Sequence, residues 1–168
     1  VASPRFTSER LLSLVNGSFD DDRIERGFPK QTGVWSGDQA VVKNGRLKFV
    51  APDSFGAIPS ALATSCDVFQ LVDLRPLRAT LSMKGDSVLD FSASFTDSRQ
   101  PDSNPSVTLF CQLYLFSGDP ASLHSKWPQC IPEALAIRNA KVTTLGKDAQ
   151  GTRTLTARCL VPAETDFT

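Results

Sequence analysis

The chain is poor in the residues that build zinc and other transition-metal sites. Histidine occurs once, as His124, and no two of the four cysteines lie close together in the sequence. Zinc sites normally use closely spaced Cys or His pairs, such as C-x-x-C. The sequence therefore gives little support to a zinc site. The four cysteines are Cys66, Cys111, Cys130 and Cys159.

The even number of cysteines leaves their redox state open. Four cysteines permit two disulfides in three possible pairings, but scattered cysteines also occur in reduced proteins as small buried hydrophobic residues. Cys111 and Cys159 lie inside apolar strand patterns. This position favours burial, which is compatible with either state. We expect at least one disulfide.

The sequence has neither an excess of one charge nor a long apolar run. Lys and Arg together number 18, as do Asp and Glu, and neither sign forms a long block. Binding to nucleic acid or to an anionic membrane surface normally requires a basic patch. No stretch approaches the roughly 18 consecutive apolar residues of a membrane-spanning helix. We predict no nucleic-acid binding and no direct membrane insertion.

The N-terminus lacks the basic start and apolar centre of a signal peptide. Because the first residue is Val1 rather than Met, we expect a processed chain or an excised fragment. The last residues, LVPAETDFT, resemble a turn that leads into a closing strand. We therefore expect a final strand that is very short or cut off after Thr168.

The familiar catalytic motifs are absent from the sequence. It contains no G-x-S-x-G, no H-E-x-x-H and no Gly-rich phosphate loop. Glycosidase carboxylates can lie far apart in sequence, so a small glycoside hydrolase using Asp90 or Asp73 is kept as an alternative. Asp90 lies on the polar face of a strand pattern and Asp73 at a strand end, where carboxylates are ordinary. We predict that the chain is not an enzyme.

Short strand patterns recur between turns rich in Gly, Pro and Asp. The clearest is Val88 to Phe95, where apolar and polar residues alternate as in a half-buried strand. The stretch Val107 to Phe116 is apolar on both faces and should be a central strand. Residues 134–145 start like a helix, but Val142-Thr143-Thr144 favours a strand that forms a hairpin with residues 153–161. Further strands are predicted at residues 46–50 and 67–74.

Two segments rich in Pro, Ser and Asp are predicted to be long surface loops, at residues 98–106 and 117–130. At 168 residues the chain is long enough for one domain with a substantial core. We expect an N-terminal arm of residues 1–13 and one domain of residues 14–168. Strands that recur between turns favour a sandwich or a barrel.

Several short motifs, taken in order, resemble the galactose-binding-like jelly rolls of carbohydrate-binding modules. They are NGSFDD from Asn16, the stretch ending at Trp35, NGRLKF from Asn44 and VFQLVDL from Val68. The resemblance covers the first half of the chain by motif and the second half by strand rhythm. It implies an all-β fold, a two-sheet antiparallel jelly-roll β-sandwich with long loops. It also implies a non-catalytic domain that binds carbohydrate or a protein partner.

A narrower resemblance concerns FQLVDLRPL from Phe69, followed by DFSASF from Asp90. These segments are similar to the extracytoplasmic C-terminal domains of FecR-type anti-sigma regulators of bacteria. That family implies a periplasmic or secreted location within a larger protein, tethered through a segment that precedes this chain. It also implies the alternative function, a structural or signalling ectodomain with a protein partner and no sugar ligand.

The carbohydrate-binding resemblance implies a structural calcium site. In those jelly rolls the acidic residue after Asn-Gly-x-Phe helps bind calcium, together with backbone carbonyls and an acidic residue near the C-terminus. Asp20 occupies the first position here, and Asp166 is the candidate for the second. Calcium prefers several oxygen ligands, carboxylates among them. The departure is that Glu is replaced by the shorter Asp, in a run of three, and a solvated acidic turn is the alternative.

Sugar binding in such modules uses exposed Trp or Tyr rings, which stack on the apolar face of a pyranose while polar groups bond its hydroxyls. The chain offers only Trp35, Trp127 and Tyr114. Trp35 resembles a structural core residue of the family, and Tyr114 lies in the expected central strand. We predict that Trp127 is exposed and binds the ligand; packing over the sandwich edge is its alternative. The other ligand-binding candidates in its loop are His124, Lys126 and Gln129.

Overall fold

The structure is a computed structural model that describes residues 14–49, 66–79, 86–97, 106–144 and 151–168. The chain divides into two compact units, unit 1 (Val1–Val72) and unit 2 (Asp73–Thr168). The predicted arm of residues 1–13 lies outside the described residues, as do residues 98–105 of the first predicted loop.

Antiparallel strands make up most of the described secondary structure, so the prediction of a β-rich chain is confirmed. Unit 1 contains β1 (Trp35–Gly37), β2 (Ala40–Val42), β3 (Leu47–Phe49) and β4 (Val68–Gln70). Unit 2 contains β5 (Val88–Thr96), β6 (Val107–Leu115), β7 (Ala136–Thr144) and β8 (Thr152–Leu160). It also contains the helix α1 (Pro120–Lys126) and 3-10 turns at Arg75–Leu77 and Ile131–Glu133. Among the described residues, no helix has the length and apolar character needed to cross a membrane.

The described strands of unit 1 form two short ladders, β1 with β4 and β2 with β3. The β2–β3 turn is made by Asn44 and Gly45, which both have positive φ, as a tight two-residue hairpin requires. Trp35 is buried, and its ring N–H donates to the Val15 carbonyl at 3.0 Å. The Gln70 side chain accepts from the Val15 N–H at 3.0 Å and donates to its carbonyl at 2.8 Å. Gln70 thus has the partner that a polar residue in an apolar strand needs.

The described strands of unit 2 form two ribbons that pack face to face. β5 pairs with β8 and β6 pairs with β7, each over nine residues. Because side chains alternate along a strand, each ribbon turns one row of residues inward. The inward rows form a sandwich-like core between the ribbons. Its buried members are Cys111, Leu113, Leu115, Ala157 and Cys159.

The predicted strand within residues 134–145 is present as β7 (Ala136–Thr144), but the predicted hairpin with residues 153–161 is wrong. β7 pairs with β6, and β8 pairs with β5. The reason is that β7 and β8 contribute inward residues to opposite layers of the sandwich, so proximity along the chain does not make them ladder partners. The predicted strand at Val107 to Phe116 is present as β6, but the prediction that both of its faces are covered is wrong. Among the described residues β6 pairs only with β7, and its Phe110 is 50% exposed.

The predicted loop at residues 117–130 contains the helix α1. The Asp119 carboxylate caps it by accepting from the Ala121 N–H at 3.0 Å, and Pro120 occupies the first turn. An N-cap Asp followed by Pro is a recognised start of a helix. Pro and Ser are common both in loops and at the starts of helices, so the composition of the segment favoured a loop.

The expected disulfide is not formed, since all four cysteines are free. Cys111 and Cys159 are buried in the core of unit 2, as their strand patterns predict, and act there as small apolar residues. The thiol of Cys66 donates to the carbonyls of Asp38 at 3.0 Å and Gln39 at 2.8 Å. Its partial burial, and then the negative charges of Asp67 and Asp38, raise the pKa of Cys66 to about 11.

We therefore expect Cys66 to alkylate slowly in the folded protein, although it is only partly buried. At pH 8 its thiolate fraction should be on the order of a hundredfold below that of an ordinary cysteine. The measurement is iodoacetamide labelling followed by mass spectrometry, with urea-unfolded protein as the control in which all four thiols react. Rapid labelling of Cys66 in the native protein, or disulfide-linked peptides, would contradict this arrangement.

Candidate functional site

One surface of unit 2 combines aromatic rings with amide side chains. The register of β6 and β7 places four residue pairs on the side away from the core. The hydroxyls of Thr108 and Thr143 lie 2.9 Å apart, as expected for side chains on one face. We call this surface the β6/β7 face. Its pairs are Thr108 with Thr143, Phe110 with Lys141, Gln112 with Asn139, and Tyr114 with Ile137.

The aromatic residues lie at both ends of the amide pair. At one end Phe110 is 50% exposed. At the other, the ring centroid of Tyr114 lies 5.5 Å from that of Trp127, in an edge-to-face arrangement. Tyr114 and Trp127 are both half-buried, and the Tyr114 hydroxyl donates to Gln112 Oε1 at 3.1 Å. Phe110 and Tyr114 are separated by roughly 13 Å along β6, since a strand rises about 3.3 Å per residue.

Trp127 is held at its position by the end of α1. Leu123 is the buried residue of this helix. After the helix, the Cys130 N–H donates to the Lys126 carbonyl at 3.1 Å. The Gln129 side chain, with its amide nitrogen turned toward the backbone, donates to the carbonyls of Lys126 at 2.9 Å and Trp127 at 3.2 Å. These bonds fix the turn that carries the Trp127 ring.

The four ligand-binding residues predicted from sequence all lie on α1 and the turn after it. His124 is half-buried in the helix, whereas Lys126 and Gln129 are exposed. The side-chain amide of Gln129 donates its hydrogen bonds to backbone carbonyls of the turn. Trp127 packs its ring edge-to-face with Tyr114, so it is less exposed than predicted.

Sequence reasoning did not select the strand residues of this face as ligand-binding candidates. These are Phe110, Gln112, Tyr114 and Asn139. The stretch VTLFCQLYLF carries a signal that could have found three of them, because every second residue from Thr108 gives Thr, Phe, Gln and Tyr. A row that mixes polar and aromatic residues is more typical of an outer face than of a core.

The acidic run of unit 1 forms a hydrogen-bonded turn on the surface. The Ser18 hydroxyl donates to the Asp20 carboxylate at 2.5 Å, and Asp21 Oδ1 accepts from the Arg23 N–H at 3.0 Å. The Asn16 side chain donates to the Asp21 carbonyl at 2.8 Å and accepts from its N–H at 3.1 Å. The run borders an open groove of about 730 Å³, whose other lining residues are Phe19, Val42, Lys43, Asn44 and Gly45.

The second predicted calcium ligand, Asp166, is buried in unit 2. One of its carboxylate oxygens accepts from the Gly118 N–H at 2.7 Å, and the other forms an ion pair with Arg78 at 2.5 Å. Within the described parts of the chain, no group of three or more His, Cys, Asp or Glu side chains is placed to hold a metal. Asp20 and Asp166 are thus each held by contacts within their own unit. The calcium site stays a prediction.

The two acids considered for hydrolysis are both paired with arginine. Asp90 accepts two hydrogen bonds from Arg158, at 2.6 and 2.8 Å, and Asp73 accepts two from Arg75, at 2.9 and 2.7 Å. These bonds from the guanidinium groups lower the pKa of both carboxyls. A glycosidase general acid needs the opposite, a raised pKa.

Comparisons with protein-family models, with curated proteins and with solved structures found no match. The likeness to galactose-binding-like and FecR-type domains therefore stays a hypothesis from sequence motifs. The function must be inferred from the chemistry of the described surfaces.

Proposed function

We propose that this chain is a non-catalytic carbohydrate-binding domain whose binding surface is the β6/β7 face together with Trp127. The observation that carries the proposal is the Gln112–Asn139 pair lying between Phe110 and the Tyr114–Trp127 pair. Each amide offers both donors and acceptors, which suits sugar hydroxyls that donate and accept. The flanking rings offer apolar surfaces on which pyranose rings stack.

The opposite ribbon provides an internal comparison. The outer face of β5 and β8 has hydroxyl pairs 2.7 to 2.9 Å apart and the Asp90–Arg158 ion pair, but no aromatic ring. Both faces belong to the same kind of nine-residue ribbon, so the sandwich does not require aromatic and amide residues on an outer surface. Their presence on one face favours recognition. The hydroxyl pairs of the β5/β8 face are Ser92 with Thr156, Ser94 with Thr154, and Thr96 with Thr152.

We propose a jelly-roll sandwich as the fold and an extracytoplasmic part of a larger bacterial protein as the setting. The fold proposal is supported by the motif order and by two antiparallel ribbons that pack through their inner faces. The setting rests on the family resemblance alone. The four free cysteines do not support an extracytoplasmic setting, because disulfides form and persist in oxidising compartments.

The test is a titration of the protein with a panel of soluble polysaccharides. Binding is measured by tryptophan fluorescence and by calorimetry. We expect Phe110→Ala and Asn139→Ala each to weaken binding about tenfold, which corresponds to about 1.4 kcal/mol. The matched control is Leu160→Ala, which removes a 61% exposed apolar residue from the β5/β8 face. No binding to any polysaccharide, or equal binding by Phe110→Ala and Leu160→Ala, would overturn the proposal.

A protein-binding ectodomain is the second candidate function. The observation in its favour is the pair Val88 and Leu160, which lie opposite each other on the outer face of β5 and β8 and are 42% and 61% exposed. Two residues are few against the roughly 800 Å² that each partner buries in a stable complex. This candidate therefore ranks below carbohydrate binding.

A further inference from the structure

We infer that the ligand of the β6/β7 face is an anionic polysaccharide, a sugar chain that carries carboxylate or sulfate groups. This inference rests on the proposed function and names its ligand class. It is carried by the charges at the two ends of the face, each of which lies beside an aromatic ring.

At one end Lys141 lies directly opposite Phe110 in the β6–β7 register. At the other end Lys126 precedes Trp127 in the chain and is exposed. None of the eight outward residues of the ladder is acidic. In the described parts of the chain, the observed ion pairs use arginines and leave both lysines unpaired. Lys141 thus adds a positive charge that no acidic side chain of the ladder offsets, and Lys126 adds a second one next to Trp127 in the chain.

The β5/β8 face again differs, because its Arg158 is neutralised by Asp90 at 2.6 Å. An unpaired lysine beside a ring and an amide can bind an anionic group on a sugar while the ring contacts the sugar's apolar face. The two lysines belong to ends of the face that are separated by roughly 13 Å along β6. A chain with repeated charges can reach both, whereas a single charged sugar reaches one.

A nucleic acid is the less suitable polyanion. Its binding depends on neutralising several phosphates, and this chain has equal numbers of acidic and basic residues. An acidic peptide has few hydroxyl groups, so it would not offer the Gln112–Asn139 pair the closely spaced hydroxyls with which amides can exchange hydrogen bonds. Both are included as probes so that the experiment can reject the sugar.

The experiment measures affinities of the whole chain for polygalacturonate, for dextran sulfate, and for neutral galactan and dextran, with polyglutamate and single-stranded DNA as competing polyanions. We expect tighter binding to at least one anionic polymer than to its neutral counterpart, and a several-fold loss between about 0.05 and 0.5 M NaCl because exposed charges are screened. Lys141→Gln should weaken binding of the anionic polymers about three- to fivefold more than it weakens binding of the neutral ones. The control Lys48→Gln removes an exposed lysine from unit 1 and should change neither.

The outcomes separate this inference from the proposed function. Preference for polygalacturonate assigns the charge to a carboxylate, and preference for dextran sulfate assigns it to a sulfate. If neutral and anionic polymers bind equally and Lys141→Gln changes nothing, the inference fails while carbohydrate binding stands. If no polysaccharide binds, both fail. Tighter binding of polyglutamate or single-stranded DNA than of every polysaccharide, lost in Lys141→Gln, would also overturn it.

Discussion

Replacing Gly37 with alanine is expected to destabilise unit 1 by about 3 kcal/mol. Gly37 lies opposite Val68 in the ladder of β1 and β4. A Cβ at this position would overlap the carbonyl oxygen of Asp67 and lie 2.9 Å from the Cα of Val68. Because these are backbone atoms, no change of rotamer relieves the overlap. The two strands would have to separate along a ladder of only three residue pairs.

Each unit contains one of the two tryptophans, Trp35 in unit 1 and Trp127 in unit 2. Urea unfolding of Gly37→Ala in a Trp127→Phe background therefore reports on unit 1 alone. Gly17→Ala is the matched control, because its Cβ would have its nearest contact at 3.5 Å, with Leu14. We expect the control to change stability by less than about 1 kcal/mol. Similar midpoints for both variants would show that β1 and β4 are not packed this closely.

The strands that sequence analysis located best are those with a strict alternation. Val88 to Phe95 was predicted and β5 spans Val88–Thr96, because a half-buried strand shows its period of two in its own residues. The Asn44–Gly45 turn is similarly local, since both residues adopt positive φ. Such features need no knowledge of the rest of the chain.

Strand partners could not be predicted in the same way. β5 and β8 are joined by pairs such as Asp90 with Arg158, which are 68 residues apart in the chain. Nothing local to either strand indicates this pairing. In the sequence, the short Gly-containing stretch of residues 146–151 favours a hairpin between neighbouring strands, because short loops usually connect adjacent strands. Tertiary packing of the two ribbons overrode that preference.

The candidate site was found only in part for the same reason. Trp127 stands out in a polar segment, so it could be selected from sequence. Tyr114 and Phe110 lie in a stretch that is apolar on both faces, which predicted a fully covered strand. Only the pairing of β6 with β7 shows that one row of this strand faces away from the core. The amide pair likewise exists only in the folded register.

Leu115→Ala is expected to destabilise unit 2 by about 2–5 kcal/mol. Leu115 is fully buried, at the end of β6, and belongs to the core between the two ribbons. Truncation removes buried apolar surface and leaves a cavity that the paired Ala136 is too small to fill. The measurement is urea unfolding in a Trp35→Phe background, monitored through the fluorescence emission of Trp127. Leu160→Ala is the control of the same residue type and should stay within about 0.5 kcal/mol, because Leu160 is mostly exposed.

Leu115→Ala also separates packing from recognition on the same strand. Its side chain points inward, so the outward residues Phe110, Gln112 and Tyr114 keep their positions in the folded molecule. In the absence of urea, the folded fraction of Leu115→Ala should bind polysaccharide with the same affinity as the unmodified chain. Phe110→Ala should show the reverse, with affinity lost and stability nearly unchanged, because Phe110 is half-exposed. If both variants lost affinity only in proportion to the unfolded fraction, the β6/β7 face would serve packing rather than ligand binding.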